Sequence, residues 1–587
     1  MLKKLKDFLK NQNIDYLLLP NSDEFFLEYL PKDKRKVEAL TGFAGSNAFV
    51  VFGKKKSYFF TDGRYLLQAE KEIDLKEFEI LDLAKKNVFG LLQEILESKN
   101  VVAADPKLFN IAQILKLQKI TKSLGSELKF LEESSGFDDL LKEKLQNITI
   151  DKAYNIDPKL VGIDSLTKRK AIANGITGDF MLVSKPENIC WLLNLRGSDL
   201  ENTPVILAYG ILFRDGSFDL FIDEKRIENI EDKNLVGVNF IQESCLDLRL
   251  SVLSKEFNKI QIDGFCCNYF VHALLEENKY EIILKDDPIE LAKAIKSDSE
   301  VKAMKKTHEI DGLALTKFLF WLEKNVSAGK EVDEISAAKK LLGFRKANEG
   351  FLNESFPAIS AFGGNGSIIH YHPQKSTNKK IDDSNLYLID SGGQYLAKDF
   401  LGTTDVTRTV SFGKASIEQI ENFTRVLKGH IALARVKFKR GTTGCNLDIL
   451  ARFHLMQDGK DYAHGTGHGV GCFMSVHEGP CSISKRSHQE LIPNMILSNE
   501  PGFYEDGKYG IRIESLTLVK EIDGEFLGFE TITLAPIDPQ LIDFKMLTYP
   551  EKKWLKQYHE RIAKVLGGDL SDEEKTWLEE IVGKFSS

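Results

Sequence analysis

YLIDSGGQY (Tyr387–Tyr395), GTTDVTRT (Gly402–Thr409), AHGTGHGVG (Ala463–Gly471), LSNEPGFYEDG (Leu497–Gly507) and YGIRIESLTLV (Tyr509–Val519) gather Asp390, Asp405, His468, Glu500 and Glu514 into about a fifth of a 587-residue chain. Their apolar residues alternate with period two. Leu386, Leu388 and Asp390 fall on one face of a strand. Arg512 and Glu514 fall on one face of another, with Ile511 and Ile513 behind them. The pattern predicts that each carboxylate is carried by a rigid strand. Four carboxylates and one imidazole, with no thiolate, do not suit a structural zinc site. They suit a pair of hard or borderline divalent ions such as Mn²⁺, with Zn²⁺ or Co²⁺ as alternatives. Two such ions about 3.5–4 Å apart can clamp a carbonyl, which is hydrolase chemistry.

Outward from this core, the N-terminal half reads as two variations on one plan. In the first, an amphipathic helix (Leu2, Leu5, Phe8 and Leu9 at helical spacing) leads into the strand Ile14–Pro20, the polar turn Asn21–Glu24, then Leu40–Gly53 and Tyr58–Tyr65. In the second, a helix at 168–176 leads into the strand Gly178–Ser184, a polar turn at Lys185–Asn188, an edge hairpin at Ile189–Asp199, and the strands Val205–Phe213 and Phe218–Arg226. Alternating strands and helices predict two small α/β domains, with boundaries near residue 150, after a charged helix at 138–146, and near residue 293. Long helices with Ser297 or Ser299 as caps open the third segment. Two more helices close it, the last with Ser571 and Glu574 in capping-box register. The domains expected are therefore 1–150, 151–292 and 293–587.

Bulk properties narrow the class. The chain is too long for one core. Hydrophobic content of 42% and charged content of 28% are ordinary for a soluble globular protein. Net charge is −8, with Lys and Glu interspersed, so no nucleic-acid footprint is present. The N-terminus is not read as a signal peptide, because its apolar run is short and broken by Asp15. No stretch approaches the ~18 uninterrupted apolar residues of a membrane span. Seven scattered cysteines, including the adjacent Cys266 and Cys267 and the site-flanking Cys472 and Cys481, form no paired framework. They predict reduced thiols and a cytoplasmic setting.

Taken with LTGFAGSNAF, FTDGRYLLQAE, WLLNLRGSD, HYHP, HGTGHGVGCFMSVHEGP and the TWLEE tail, the core motifs resemble the pita-bread metallopeptidases, which include methionine aminopeptidase, prolidase, creatinase and aminopeptidase P. The likeness runs through nearly the whole chain and is nearest to the long, three-domain aminopeptidase P (Xaa-Pro aminopeptidase) form. It implies an α/β (α+β) fold, two creatinase-like N-terminal domains before a pita-bread domain, a dinuclear site, and removal of the first residue from peptides with proline second. It further implies Asp390 as the bidentate ligand of one metal, Asp405 and Glu514 as bridges, and His468 and Glu500 as remaining ligands of the other. His370, His464 and His477 match the family's histidines around the substrate. A homodimer is expected through the C-terminal segment, where Trp554, Tyr558, Trp577 and Ile581 present apolar surface. The gap from Asp390 to Asp405 is longer than usual for the family, and Asp399 lies in the extra residues; the TTDVTRT context selects Asp405.

The chemistry fits these residue types. A bond before proline is a tertiary amide with a ring-locked backbone. His464 and His477 are candidate donors to charge developing on the carbonyl oxygen. Glu500 can accept and relay the water proton, and Arg512 can orient the ligand carboxylates. The loop Ala361–Tyr371, with Phe362 and His370, is the candidate proline pocket. His372 is a second candidate for substrate contact, while His454 and His488 read as surface residues. Arg64 either buttresses its own domain or reaches a substrate across a dimer. Two other functions compete: a dipeptide-cleaving prolidase, which usually has one N-terminal domain, and an inactive pita-bread binding module, which would lack the carboxylates.

Overall fold

A computed structural model describes residues 1–146, 151–228, 230 and 235–585. The chain divides into two compact units: Met1–Ile156 with Ile163–Glu201 and Val205–Ile289, and Asp157–Gly162 with Asn202–Pro204 and Glu290–Ser587. The expected boundary near residue 150 falls at residues outside those described.

The first unit holds two six-stranded sheets of one design. The first runs Phe78–Asp82, Ser57–Thr61, Phe49–Gly53, Tyr16–Pro20, Val101–Ala104, Glu127–Phe130. The second runs Val238–Ile241, Phe218–Phe221, Tyr209–Phe213, Phe180–Val183, Lys259–Ile262, Glu281–Leu284. In both, successive neighbours pair parallel, antiparallel, antiparallel, parallel, parallel. The faint repeat in sequence is thus a full repeat in topology. Two local expectations need correction. Lys185–Asn188 is not a turn before a hairpin, because Pro186 opens the helix Pro186–Leu193. Proline at the first helical position lacks only an N–H that the helix would leave unpaired. The helix expected at 138–146 spans only Phe137–Leu141.

The second unit opens with the 30-residue helix Asp298–Ser327. Ser297 caps it, with Glu300 returning the bond to the Ser297 backbone. Two sheets carry the residues of interest: Ile359–Phe362, Leu386–Ser391 and Val406–Ser411 in one, and six strands including Gly467–Gly469, Ile496–Asn499 and Ser515–Glu521 in the other. The ribbon Gly502–Glu505 and Tyr509–Arg512 lies between the last two of these in sequence. Helices Tyr549–Leu566 and Asp572–Lys584 close the unit, the latter with the expected Ser571–Glu574 box.

The tail packs inward, against the expectation of an uncovered apolar face. Tyr558 is buried, Trp554 stacks on it at 5.1 Å, and the Trp577 indole N–H donates to Glu323. Trp554, Trp577 and Ile581 all pack against the core of this unit. Trp554, Trp577 and Ile581 remain half-buried, so this packing reduces the apolar area they offer for association without removing it.

Candidate metal centre

Only two of the five proposed ligands lie within strands. Asp390 is in Leu386–Ser391 and His468 in Gly467–Gly469. Asp405 directly precedes Val406–Ser411, Glu500 follows Ile496–Asn499, and Glu514 occupies the join between Tyr509–Arg512 and Ser515–Glu521. The period-two reading therefore extends one or two residues too far, and three ligands belong to strand ends. Strand ends let side chains of separate sheets converge on one point while the ladder holds their backbones. The registers Asp390↔Thr407 and Asn499↔Ser515 and the bond from Glu514 N to Thr407 O make this convergence. Glycines flank His468 for a packing reason. A Cβ on Gly467 would lie 2.0 Å from Ser498 O, and one on Gly469 would lie 2.2 Å from Glu478 O.

The five side chains, joined by His477, meet in three overlapping groups, each with one ligand atom per residue within 4.8 Å of the others: Asp390, Asp405 and Glu514; His468, Glu500 and Glu514; Asp405, His468 and His477. His468 donates from Nδ1 to its neighbour's carbonyl, Gly469 O at 2.9 Å, which leaves Nε2 facing Asp405 (3.5 Å) and Glu500 (3.3 Å). Thr407 Oγ1 donates to Glu514 Oε2 at 2.7 Å and Ser498 Oγ to Glu500 Oε1 at 3.1 Å. Arg512, fully buried, donates from Nη2 to Asp390 Oδ2 at 2.6 Å and from Nε to Thr407 Oγ1 at 3.1 Å.

The electrostatics test whether cations fit. Burial pushes the Asp390 carboxyl up to about 6, against the opposing pull of Arg512 and with a further push from Asp405. Burial and then the charges of Asp405 and Asp390 raise Glu514, and burial raises Glu500. Burial alone would lower His468, but the Asp405 bond and the Glu500 charge outweigh it and raise the imidazole to about 9. Asp390 Oδ1 is buried without a hydrogen-bond partner. Crowded carboxylates that resist ionisation, with an orphaned acceptor, are what a pair of divalent cations would satisfy.

The outer residues divide. His477 stands edge-on to His468 with ring centroids 4.3 Å apart, and its neighbour Glu478 is buried beside Lys293 and Lys296. His464 comes within 4.0 Å of Glu500. Its Nδ1–H donates to Gly465 O at 2.7 Å, so Nε2 accepts from the Tyr504 hydroxyl at 2.8 Å. That hydroxyl accepts in turn from Arg512 Nη1 at 2.8 Å. His370 follows the short helix Gly363–Ser367 and belongs to none of the three ligand groups. Phe362 is 6% exposed within a core containing Leu315 and Phe318, which removes it as a wall of an open pocket. Asp399 is exposed at the hairpin tip between Gly393–Leu396 and Leu401–Thr403, away from the cluster. His372 and His488 are exposed, while His454 is half-buried. In the first unit, Arg64 forks onto Asp62 at 3.0 and 2.7 Å. None of the seven cysteines forms a disulfide, and Cys472 and Cys481 are buried.

Tyr504, Thr407 and Arg452 were not legible as site residues. Tyr504 joins His464 to Arg512. Arg452, on the helix Gly444–Met456, donates to Tyr462 O and His464 O and so moulds the loop carrying His464. The only sequence signal was their place in or near the quoted motifs.

Comparisons with known proteins cover the whole chain. Residues 302–521 match metallopeptidase family M24, and residues 525–584 match the C-terminal region of peptidase M24. Residues 1–132 and 146–300 each match the creatinase/prolidase N-terminal domain. Xaa-Pro aminopeptidase 1 of Dictyostelium discoideum is 36% identical, over 96% of this chain and 92% of the relative. An X-prolyl aminopeptidase structure from Caenorhabditis elegans, described as a cytosolic enzyme with a di-nuclear active site, matches with a TM-score of 0.91 and 32% identity over 98% of this chain and 96% of that one. Recombinant prolidase from Thermococcus sibiricus matches with a TM-score of 0.51 and 26% identity, over 64% of this chain and 97% of that one.

Proposed function

The chain belongs to metallopeptidase family M24, and from that premise we propose that it removes the N-terminal residue from peptides with proline in second position. It is a metal-dependent aminopeptidase with two creatinase-like N-terminal domains, 1–150 and 151–292, before a pita-bread domain, 293–587. The observation that carries the reading is the convergence of Asp390, Asp405, His468, Glu500 and Glu514 in overlapping groups of mutually close ligand atoms. Full-length likeness to Xaa-Pro aminopeptidases supports the substrate class. The prolidase match leaves about a third of this chain unmatched, which favours an aminopeptidase over a dipeptidase.

Asp390, Asp405, His468, Glu500 and Glu514 would hold two divalent ions, with Mn²⁺ the choice that best suits an oxygen-rich donor set. Such ions supply Lewis acidity and bring the pKa of water toward neutrality. The remaining work falls to the protein. Glu500 accepts the water proton and returns it to the departing proline nitrogen, which must be protonated to leave. His477 and His464 face the reacting carbonyl as donors. For His464 this requires leaving Tyr504, because both its ring nitrogens are otherwise engaged. Arg512 holds Asp390 and Tyr504 together.

No helix among the described residues is long and apolar enough to cross a membrane. Seven cysteines without a disulfide support a cytoplasmic setting. A homodimer rests on the family resemblance, since Tyr558 is buried and Trp554 and Trp577 are half-buried within their own unit. The test is turnover of an Xaa-Pro-Xaa tripeptide and an Xaa-Pro dipeptide during Mn²⁺ titration of metal-free protein. Mn²⁺-dependent tripeptide cleavage is expected; cleavage of the dipeptide alone would make the enzyme a prolidase.

A further inference from the structure

We propose that the C-terminal helix Tyr549–Leu566 positions the two glutamates of the metal centre from behind. This rests on the metal reading above. Two aromatic residues one turn apart on that helix, Trp554 and Tyr558, stack with their rings within 6° of parallel, and each begins a separate path to a ligand.

The first path runs through Arg408. Tyr558 OH accepts from Arg408 Nη2 at 2.8 Å and donates to Ala535 O at 2.9 Å. Arg408 is 1% exposed and donates to the carbonyls of Thr407, Glu514 and Ala535. These acceptors are neutral; a buried cation so held has five donors fixed in a planar fork. Its geometry therefore sets the backbone of Glu514 and of Thr407, whose hydroxyl bonds the Glu514 carboxylate. The second path runs through His430. Trp554 meets its ring edge-on at 6.0 Å. His430 Nδ1–H donates to Asn499 O at 3.1 Å, and Asn499 Nδ2 donates back to His430 O at 2.9 Å. This reciprocal pair holds the residue directly before Glu500. Arg408 and His430, the middle members of the two paths, are both fully buried. Partners that orient ligands in this way commonly account for about 10–100-fold in metal affinity.

The experiment is Mn²⁺ titration of the metal-free full chain by calorimetry, with the thermal midpoint of each metal-free variant. Tyr558→Phe removes one hydroxyl and keeps the ring, and His430→Gln keeps an amide that can bond Asn499. Tyr558→Phe is expected to weaken Mn²⁺ binding about tenfold or more with little change in the metal-free midpoint, and His430→Gln is expected to recover part of what His430→Ala loses. Trp577→Phe, which breaks only the bond to Glu323, is expected to bind Mn²⁺ as the unmodified chain does. Unmodified Mn²⁺ affinity in Tyr558→Phe, or an equal loss in Trp577→Phe, would overturn the positioning role. Asp405→Asn is the control on the site itself: if it retains two ions, the metal reading fails and this proposal with it.

Discussion

Asp405 and Asp399 lie six positions apart in sequence and in opposite surroundings. Asp405 is 4% exposed and faces His468 Nε2, whereas Asp399 is exposed at a hairpin tip. Asp405→Asn is expected to lose one or both ions and all turnover, and Asp399→Asn to remain near the unmodified level; metal stoichiometry of the two variants checks this. His464 belongs to no group of mutually close ligand atoms. His464→Ala is therefore expected to keep both ions while losing about 10²–10³ in kcat, the usual loss for one donor to a developing oxyanion. Loss of metal in that variant would make His464 a ligand.

At the scale of elements, the tail helix makes a pH prediction. His559 is fully buried, its Nδ1–H donating to Leu555 O and its Nε2 accepting from Ile537 N at 3.0 Å. Burial, opposed by the Leu555 carbonyl and aided by the Arg408 charge, pushes it down to about 3. Above about pH 6.5 it is neutral in folded and unfolded chains alike, so it changes nothing there. As pH falls below about 6.5, the unfolded chain takes up a proton that the folded chain refuses, and stability drops by about 1.4 kcal/mol per pH unit. The loss continues down to the folded value of about 3. Urea unfolding of His559→Gln between pH 7 and 5 should show a slope shallower by about one proton than the unmodified chain; equal slopes would refute it. The loop Ala361–Tyr371 bears on specificity. With Phe362 in the core, His370 is the remaining candidate of that loop for proline contact. Replacing proline by alanine in the substrate removes roughly two or three methylenes at ~0.8 kcal/mol each. That predicts about 15–60-fold lower kcat/KM for Xaa-Ala-Xaa than Xaa-Pro-Xaa. Equal values would make the enzyme a general aminopeptidase.

At the scale of the whole molecule, the question is assembly. The tail aromatics pack largely within their own unit, with Trp554, Trp577 and Ile581 half-buried, so a surface elsewhere is the expected contact. Sedimentation of the intact chain at micromolar concentration is expected to show a dimer. Ile581→Ser is expected to leave that dimer intact, and a shift to monomer in this variant would return the tail to the interface.

Much of this was decided locally and so was readable from sequence. Helix caps such as Ser297–Glu300 and Ser571–Glu574 depend on residues three apart. The duplicated N-terminal plan follows from apolar periodicity, and the donor set follows from residue types inside five short motifs. What sequence order cannot carry is distance between strands. Periodicity placed Glu514 on a strand because Ile511, Arg512 and Ile513 alternate correctly, yet the ladder stops before it and frees the carboxylate to meet Asp390 and Asp405. Phe362 read as an available aromatic until packing against the long helix buried it. Tyr504, Arg408 and His430 matter through partners 8 to 150 residues away, and the tail's Trp554 and Tyr558 pack inward rather than outward. Those outcomes depend on which buried polar group finds which acceptor, and only the folded chain brings the candidates within hydrogen-bonding reach.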